Sequence, residues 1–390
     1  MSHLKEYFAD LHIHIGWTEN KEPVKISASK NLTFANILKE SYYRKGLDMI
    51  GIIDSHSPGV QKEILHYIET GEIKELSEGG LLFHDLTILL GTEIEIKEEG
   101  RGEAHYLAFF PFLKDMTDFS KWMQNRMKNI QLSSQRLYVS TRTLQEEVKR
   151  RDGLFIPAHI FTPFKSVYGN CCKRMEEVMD LSMIDAVELG LSSDTDMADR
   201  IKELHSIPFL TNSDAHSLKK IGREYNKLQL EKPSFVEFRS ALHQKNGRKI
   251  AENFGLDPKL GKYHQSRCLS CNHIQENNSI CRICGSDQII KGVAVRIEEL
   301  STLSEGIHPL FRPPYIHQVP LEFIPKLGPK TLEKLLSHFG TEMNILHRAS
   351  KENLLSVIPE KLVKTLIDAR EGRLQIEHGG GGIYGRVLEK

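Results

Sequence analysis

The sequence predicts an α/β protein: a distorted (β/α)7 barrel, then a small metal-bound domain, then an all-α C-terminal domain. Three observations lead there. Over residues 1–255 short apolar runs alternate with longer mixed stretches, the pattern of a mainly parallel sheet with crossover helices. Those apolar runs end, one after another, in His, Asp or Glu. Past residue 255, two Cys-x-x-Cys pairs stand close together ahead of a proline-punctuated helical stretch.

The expected strands are Tyr7–Ile13, Met49–Asp54, Thr87–Ile96, Ala104–Phe110, Leu154–His159, Ala186–Leu189 and Pro208–Asn212, with helices between them. In the first, His12 and His14 share one face because strand side chains alternate, and Ala9, Leu11 and Ile13 take the other. Two imidazoles beside the Asp10 carboxylate are half of a divalent-metal site. The second strand ends in Asp54-Ser55-His56 and the third carries Glu93 and Glu95. His105, His159, Glu188 and Asp214-Ala215-His216 follow on the others. Barrel chemistry sits at the C-terminal ends of strands, so these residues are expected to converge on a multinuclear metal centre. Any one of them alone would pass as a core histidine or a helix cap; their succession would not. Metal ions can activate water, so neither Ser55 nor Ser213 is nominated as a nucleophile. Asp54, Glu95 and Glu188 read as residues that orient the ligands.

Composition narrows the class. The chain of 390 residues carries 52 Lys+Arg against 52 Asp+Glu, so net charge gives no reason to expect a polyanionic partner. A slight basic excess falls after residue 255. No apolar run approaches a membrane span, and the N-terminus lacks an apolar signal core, so a cytoplasmic protein is expected. Four of the six cysteines form the two Cys-x-x-Cys pairs, which in a reducing compartment indicates metal rather than disulfide.

The succession Asp10-x-His12-x-His14, Asp54-x-His56, Glu93, His105, His159 and Asp214-x-His216 resembles the polymerase and histidinol phosphatase (PHP) phosphoesterases. That resemblance implies a seven-stranded distorted barrel with two or three divalent ions (Zn²⁺, Mn²⁺, Fe or Mg²⁺). It implies that His12, His14, Glu93 and Asp214 hold a first ion, that Glu93, His105 and His159 hold a second, and that His56 and His216 hold a third. Glu93, Asp214 and His159 become the expected catalytic residues. One departure stands out. The family usually supplies a further ligand just after the first motif, where this chain has only Glu19 or Asn20.

Other residues of the barrel are candidates for substrate contact. Phe161, Phe164 and Lys165 follow His159 directly, and two readings fit: rings and an ammonium for a nucleotide, or a proline-bounded turn packed into the core. Ser133, Ser134 and Arg136 lie in a polar segment within a basic stretch, which reads either as a phosphate groove or as a solvated helix face.

Beyond the barrel, Cys268, Cys271, Cys281 and Cys284 have the spacing of a structural Zn²⁺ site that closes the tetrahedron, over a domain of residues 256–300. Residues 301–375 form a helical module in which Ile324-Pro-Lys-Leu-Gly-Pro-Lys resembles a helix-hairpin-helix, a binder of DNA backbone phosphate. There Gly328 is expected to permit the turn, Pro329 to start a helix, and Lys326 and Lys330 to meet the anion. Residues 376–390 read as a glycine-rich flexible tail.

The order of barrel, ribbon and hairpin, with the loop His159-Ile-Phe-Thr-Pro-Phe-Lys-Ser, resembles the endonuclease Q family over essentially the whole chain. This implies a monomeric repair nuclease, nucleoid-associated when on DNA, acting on double- or single-stranded DNA that carries a lesion. It would nick 5′ of hypoxanthine, uracil, xanthine or an abasic site. Two other functions fit parts of the sequence: a PHP phosphatase or exonuclease on other phosphoesters, and a non-catalytic DNA-binding factor.

Overall fold

The computed structural model describes residues 3–275 and 279–388. Residues 276–278, between the two Cys-x-x-Cys pairs, and 389–390, at the end of the tail, lie outside the described residues.

Seven strands form the barrel: β1 (Lys5–Ile13), β2 (Met49–Ile52), β3 (Leu86–Lys97), β4 (Glu103–Phe110), β5 (Leu154–Pro157), β6 (Val187–Glu188) and β7 (Phe209–Leu210). β1, β2 and β3 pair in parallel, as do β6 and β7. β4 runs antiparallel to both β3 and β5, so the sheet is mixed rather than mainly parallel. Only short links close the ring. Asp185 and Ile160 donate backbone N–H bonds to Phe155 and Glu188 across β5 and β6. His14 and Ala215 exchange with their neighbours across β7 and β1. The first half of β1 pairs instead with β8 (Tyr225–Leu230), which continues the sheet outward to β9 (Lys249–Gly255). That departure from a closed ring is the distortion of the barrel.

Six of the seven barrel strands give side chains to one interior core, Ala9 and Leu11, Met49, Leu89, Leu107 and Phe109, Leu154 and Ile156, and Leu210, and Ala186, just before β6, joins them. Phe235 and Phe238, from the helix Phe235–Leu242, pack into the same cluster. Ile13 belongs to the outer core instead, contrary to strict alternation with Ala9 and Leu11. The reason is a bulge: the β1–β2 register slips by one residue between Asp10 and Ile13. An extra residue turns the strand end over. His12 and His14 therefore face the interior, with Glu93, while Ile13 faces the outer helices.

The C-terminal residues pack onto this barrel. A three-stranded ribbon (Ser266–Cys268, Ile274–Gln275, Ile289–Ile290) carries the cysteine pairs. Strand Tyr315–His317 adds in parallel to β9, and helices Pro329–Phe339 and Glu360–Arg370 follow. The glycine run of the tail is ordered by packing. Gly379 and Gly385 donate N–H bonds to Lys259 and Leu260, and a side chain at either position would strike backbone atoms. Short strands Ile376–Glu377 and Arg386–Val387 pair across it. Among the described residues no helix is long and apolar enough to cross a membrane.

The connector is held by Arg312. Its guanidinium, buried over the Phe209 ring, donates to both oxygens of the buried Asp199 carboxylate and to the Leu204 and Ile207 carbonyls. Removing one member of a buried ion pair strands the other. Arg312→Ala is expected to lower stability by about 3–5 kcal/mol in urea unfolding, whereas truncating an exposed arginine such as Arg386 should leave the midpoint nearly unchanged.

Candidate metal centre

Glu93 lies mid-strand in β3, buried, at the focus of four imidazoles. Its Oε1 is 3.6 Å from His12 Nε2, 2.8 Å from His105 Nδ1 and 3.2 Å from His159 Nε2; its Oε2 is 3.6 Å from His14 Nε2. Asp214 Oδ1 stands 3.5 Å from both His12 Nε2 and His14 Nε2. Three groupings of ligand atoms result: His12, His14 and Glu93; Glu93, His105 and His159; and His14, Asp214 and His216. The expected first and second ion sites are thus brought together, with Glu93 common to both. His105 reaches them from the start of its strand because β4 runs antiparallel; His159 follows the end of β5. Both His159 and Asp214 hold left-handed backbone conformations, φ +31° and +46°.

The donor set fits divalent ions. Among the described residues, His12 Nε2, His14 Nε2, His105 Nε2, His159 Nδ1 and Asp214 Oδ1 are buried without a hydrogen-bond partner, a condition that native interiors avoid unless an ion or water completes it. Two of the histidines are already oriented from behind. His12 Nδ1 is 2.8 Å from Glu188 Oε2, and His14 Nδ1 is 3.0 Å from Asp54 Oδ2, the arrangement that fixes the tautomer of a ligating imidazole. Glu95 approaches His105 Nε2 at 3.7 Å and is itself paired with Arg136 and Lys165.

Charges respond to this crowding. Burial by itself would drive the His12 imidazole toward neutrality, but the carboxylates of Glu188, Asp214 and Glu93 outweigh it and lift its pKa to about 10. Burial pushes the Asp54 carboxyl up, yet His14 and His56 beside it bring it to about 2. Glu93 and Asp214 are likewise held well below the usual carboxylate range by facing imidazoles, against burial.

Several expectations change. His56 is not grouped with the other ligands: its Nδ1 is 2.8 Å from Thr92 Oγ1 and its Nε2 is 3.3 Å from the Leu132 carbonyl. Asp10 does not face the centre either; its carboxylate accepts N–H bonds from Ser213 and Gly222, tying β1 to the loop that carries Asp214. Glu19 bonds Tyr67 and is turned away. Phe161 is buried against Tyr168, whereas Phe164 and Lys165 are half exposed. Ser133 and Ser134 reach the centre itself, bonding His14 and Glu93, and Arg136 pairs with Glu95 and Glu103. Gly328 has extended backbone and open space where a side chain would be; the left-handed residue of that turn is Lys326.

A cavity of about 410 Å³ opens beside Asp214 and His216. Residues that motif reading passed over line its far wall: Lys220, Arg223, Lys262, Tyr263 and Tyr384. Arg223 donates to the Ser213 and Asp214 carbonyls and to the Tyr384 hydroxyl, so the tail reaches the metal centre. Lys25 also enters the centre, bonding Glu93. Neither has a sequence signal, since each arrives from a loop with no ligand-type spacing.

In the ribbon, the four cysteine sulfurs converge, with Cys268–Cys284 and Cys271–Cys281 separations of 3.6 and 3.4 Å. A tetrahedral Zn²⁺ with bonds of about 2.3 Å places its sulfurs about 3.8 Å apart, so the cluster fits one ion with little adjustment.

A PHP-associated family model matches residues 193–246. The uncharacterized protein YqxK of Bacillus subtilis (strain 168) is 50% identical over 387 residues, covering 98% of this chain and 100% of its own. Among solved structures, the lesion-specific endonuclease PfuEndoQ from Pyrococcus furiosus is 34% identical with a TM-score of 0.86, covering 98% of this chain and 95% of that one. Endonuclease Q in complex with a 27-mer duplex substrate bearing an abasic lesion is 33% identical with a TM-score of 0.86, covering 99% and 97%.

Glu188 carries a measurable expectation. Glu188→Gln weakens the acceptor behind His12, so ion affinity should fall roughly 10–100-fold in a chelator-competition titration while the far-ultraviolet spectrum is unchanged. The ion-free chain keeps His12 protonated up to about pH 10, and a ligating imidazole must be neutral. Loading therefore releases a proton, and apparent affinity should rise with pH through neutrality in the wild type. Affinity independent of pH would contradict the assignment of His12.

Proposed function

The chain belongs to the endonuclease Q family, and on that premise we propose that it is a metal-dependent DNA repair endonuclease that nicks the phosphodiester 5′ of a lesion. The lesions are deaminated bases (hypoxanthine, uracil, xanthine) and abasic sites. One observation carries the reading: buried, unpartnered imidazole and carboxylate atoms converge beside an open cavity with cationic and aromatic walls.

His12, His14, Glu93 and Asp214 hold one ion, and Glu93, His105 and His159 another. Imidazole-rich ligands suit Zn²⁺, Mn²⁺ or Fe better than Mg²⁺. Bound ions neutralise a phosphodiester's oxygens, activate water and stabilise the leaving oxygen. The residues of the chain supply the rest. Glu188 and Asp54 keep the rings of His12 and His14 in ligating orientation. Arg223 holds the carbonyls around Asp214. Lys220 and Lys262 offer charge to the strand entering the cavity, and Tyr263 and Tyr384 offer ring faces to an extruded nucleotide. A mispaired or missing base costs less to extrude, which favours damaged over intact duplex.

The C-terminal modules extend the contact. Residues 256–300 act as a zinc ribbon stabilised by its ion. Residues 301–375 act as a helix-hairpin-helix, with the start of helix Pro329–Phe339 and the lysines Lys326 and Lys330 set against backbone phosphate. The enzyme works as a monomer in the cytoplasm, on DNA.

Nicking is tested on duplexes carrying inosine, uracil, an abasic site or no lesion, with Mg²⁺ and Mn²⁺ varied. Cleavage is expected only of the damaged strand, on the 5′ side. Asp214→Ala and Glu93→Ala should each reduce it by at least about 10³-fold with unchanged secondary structure. Undiminished nicking by either variant would overturn the ligand assignment. Phosphate release from a small monoester without duplex nicking would instead indicate a phosphatase.

A further inference from the structure

The loop that follows the ligand His159 separates two cavities. Thr162 lines the cavity beside the metal centre, while Phe161, Pro163 and Phe164 line a second one, of about 390 Å³, on the ribbon side. Leu269, Gln288 and Ile289 of the ribbon line its opposite wall. At the partition, Tyr263 of the first cavity meets Phe164 of the second edge to face, with ring centroids 5.9 Å apart.

Polar contacts on each side hold the two walls in place. The Lys165 carbonyl accepts the His105 N–H at 3.0 Å, and the Lys165 ammonium is 3.0 Å from Glu95 Oε2, so the loop is fastened to the strands of the metal centre. On the ribbon side the Leu269 N–H bonds the Gln288 carbonyl at 2.9 Å. Arg296 donates to the Tyr168 and Cys172 carbonyls at 2.7 and 3.2 Å and joins helix Val293–Leu300 to the barrel. The lining suits a flat, neutral group. Phe164 is 50% exposed, and Leu269, at the tip of the first cysteine knuckle, is 58% exposed, so both are open to a stacking partner. The Gln288 amide offers donors and an acceptor. The charges on the rim oppose one another, Asp287 against Lys291, which pairs with Glu299 at 2.6 Å. Such a rim selects neither a strongly acidic nor a strongly basic ligand. A nucleobase has the matching chemistry: two apolar faces and an edge of donors and acceptors.

We propose that this second cavity is a nucleobase subsite and that it receives the base opposite the lesion. Moving the lesion nucleotide into the first cavity leaves one base of the duplex without a partner. That base alone can leave the stack without breaking another pair. Phe164 and Leu269 supply its apolar contacts and Gln288 its edge contact. The subsite fills only when the pair is open, so it favours duplexes in which a lesion has already weakened that pair. For its occupant the proposal rests on the endonuclease reading of the first cavity.

The test uses the full-length, metal-loaded chain and duplexes with one abasic site, opposite which stands either thymine or a second abasic residue. For the wild type, loss of the opposite base is expected to raise KM about tenfold with kcat unchanged. Leu269→Ala and Gln288→Ala should each raise KM severalfold opposite thymine and should show little further rise when that base is absent. A wild-type KM indifferent to the opposite base, or an equal rise in wild type and variants, would overturn the proposal. The second measurement is photo-crosslinking of 4-thiothymine, placed opposite the abasic site or beside it in the damaged strand. Crosslinks from the opposite position to peptides containing Phe164 or Leu269 support the subsite; crosslinks to them only from the damaged strand, or none, refute it. Should Leu269→Ala lose the ribbon zinc, Gln288→Ala and the wild-type crosslink decide. Crosslinking at the cavity without nicking would sink only the endonuclease reading, and nicking without it only the subsite.

Discussion

Glu93 is the constraint on which the molecule depends. A carboxylate buried mid-strand is untenable without opposite charge around it. Here that charge comes from His12, His14, His105 and His159, and from the Lys25 ammonium. These groups come from strands and loops spread across more than a hundred residues, so the barrel must close for Glu93 to be satisfied. Closure itself is weak in hydrogen bonds: the β5–β6 and β7–β1 joins rest on a few backbone contacts. The ion centre and its supporting carboxylates therefore tie the ring together where the ladder does not.

Supporting interactions reach outward from that point in layers. Glu188 and Asp54 orient the first pair of histidines, and Asn212 in turn donates to Glu188 and accepts from the Leu11 N–H. Asp10, which a linear reading groups with the histidines, serves instead to fasten the Asp214 loop to β1. Arg223 extends the same loop to Tyr384, so the last residues of the chain form a wall of the cavity. Gly379, Gly380 and Gly385 of the tail allow close docking against residues 259–265.

A metal centre assembled in this way is legible from sequence to an uneven degree. His12, His14, Glu93, His105, His159, Asp214 and His216 announce themselves because strand ends in a barrel converge whatever the loops do. His56 has the same sequence credentials, yet Thr92 and the Leu132 carbonyl satisfy it, and spacing carries no information about such partners. Phe161 went into the core rather than to a substrate because Tyr168 offered it a stacking face. Lys25 had no credentials at all, since a lysine in a loop is usually solvated.

By itself the sequence determined the alternation of strands and helices, the ligand-bearing strand ends and the four-cysteine cluster. Each depends on local period or spacing, and local geometry settles where such side chains point. Tertiary structure decided what local geometry could not. A one-residue slip between β1 and β2 chose which face His12 and His14 present. The antiparallel course of β4 brought His105 to the centre from the start of its strand. Packing of loops and tail delivered Lys25, Arg223 and Tyr384 to a site far from them in sequence, because long-range contacts are selected by burial and charge, which no spacing rule records.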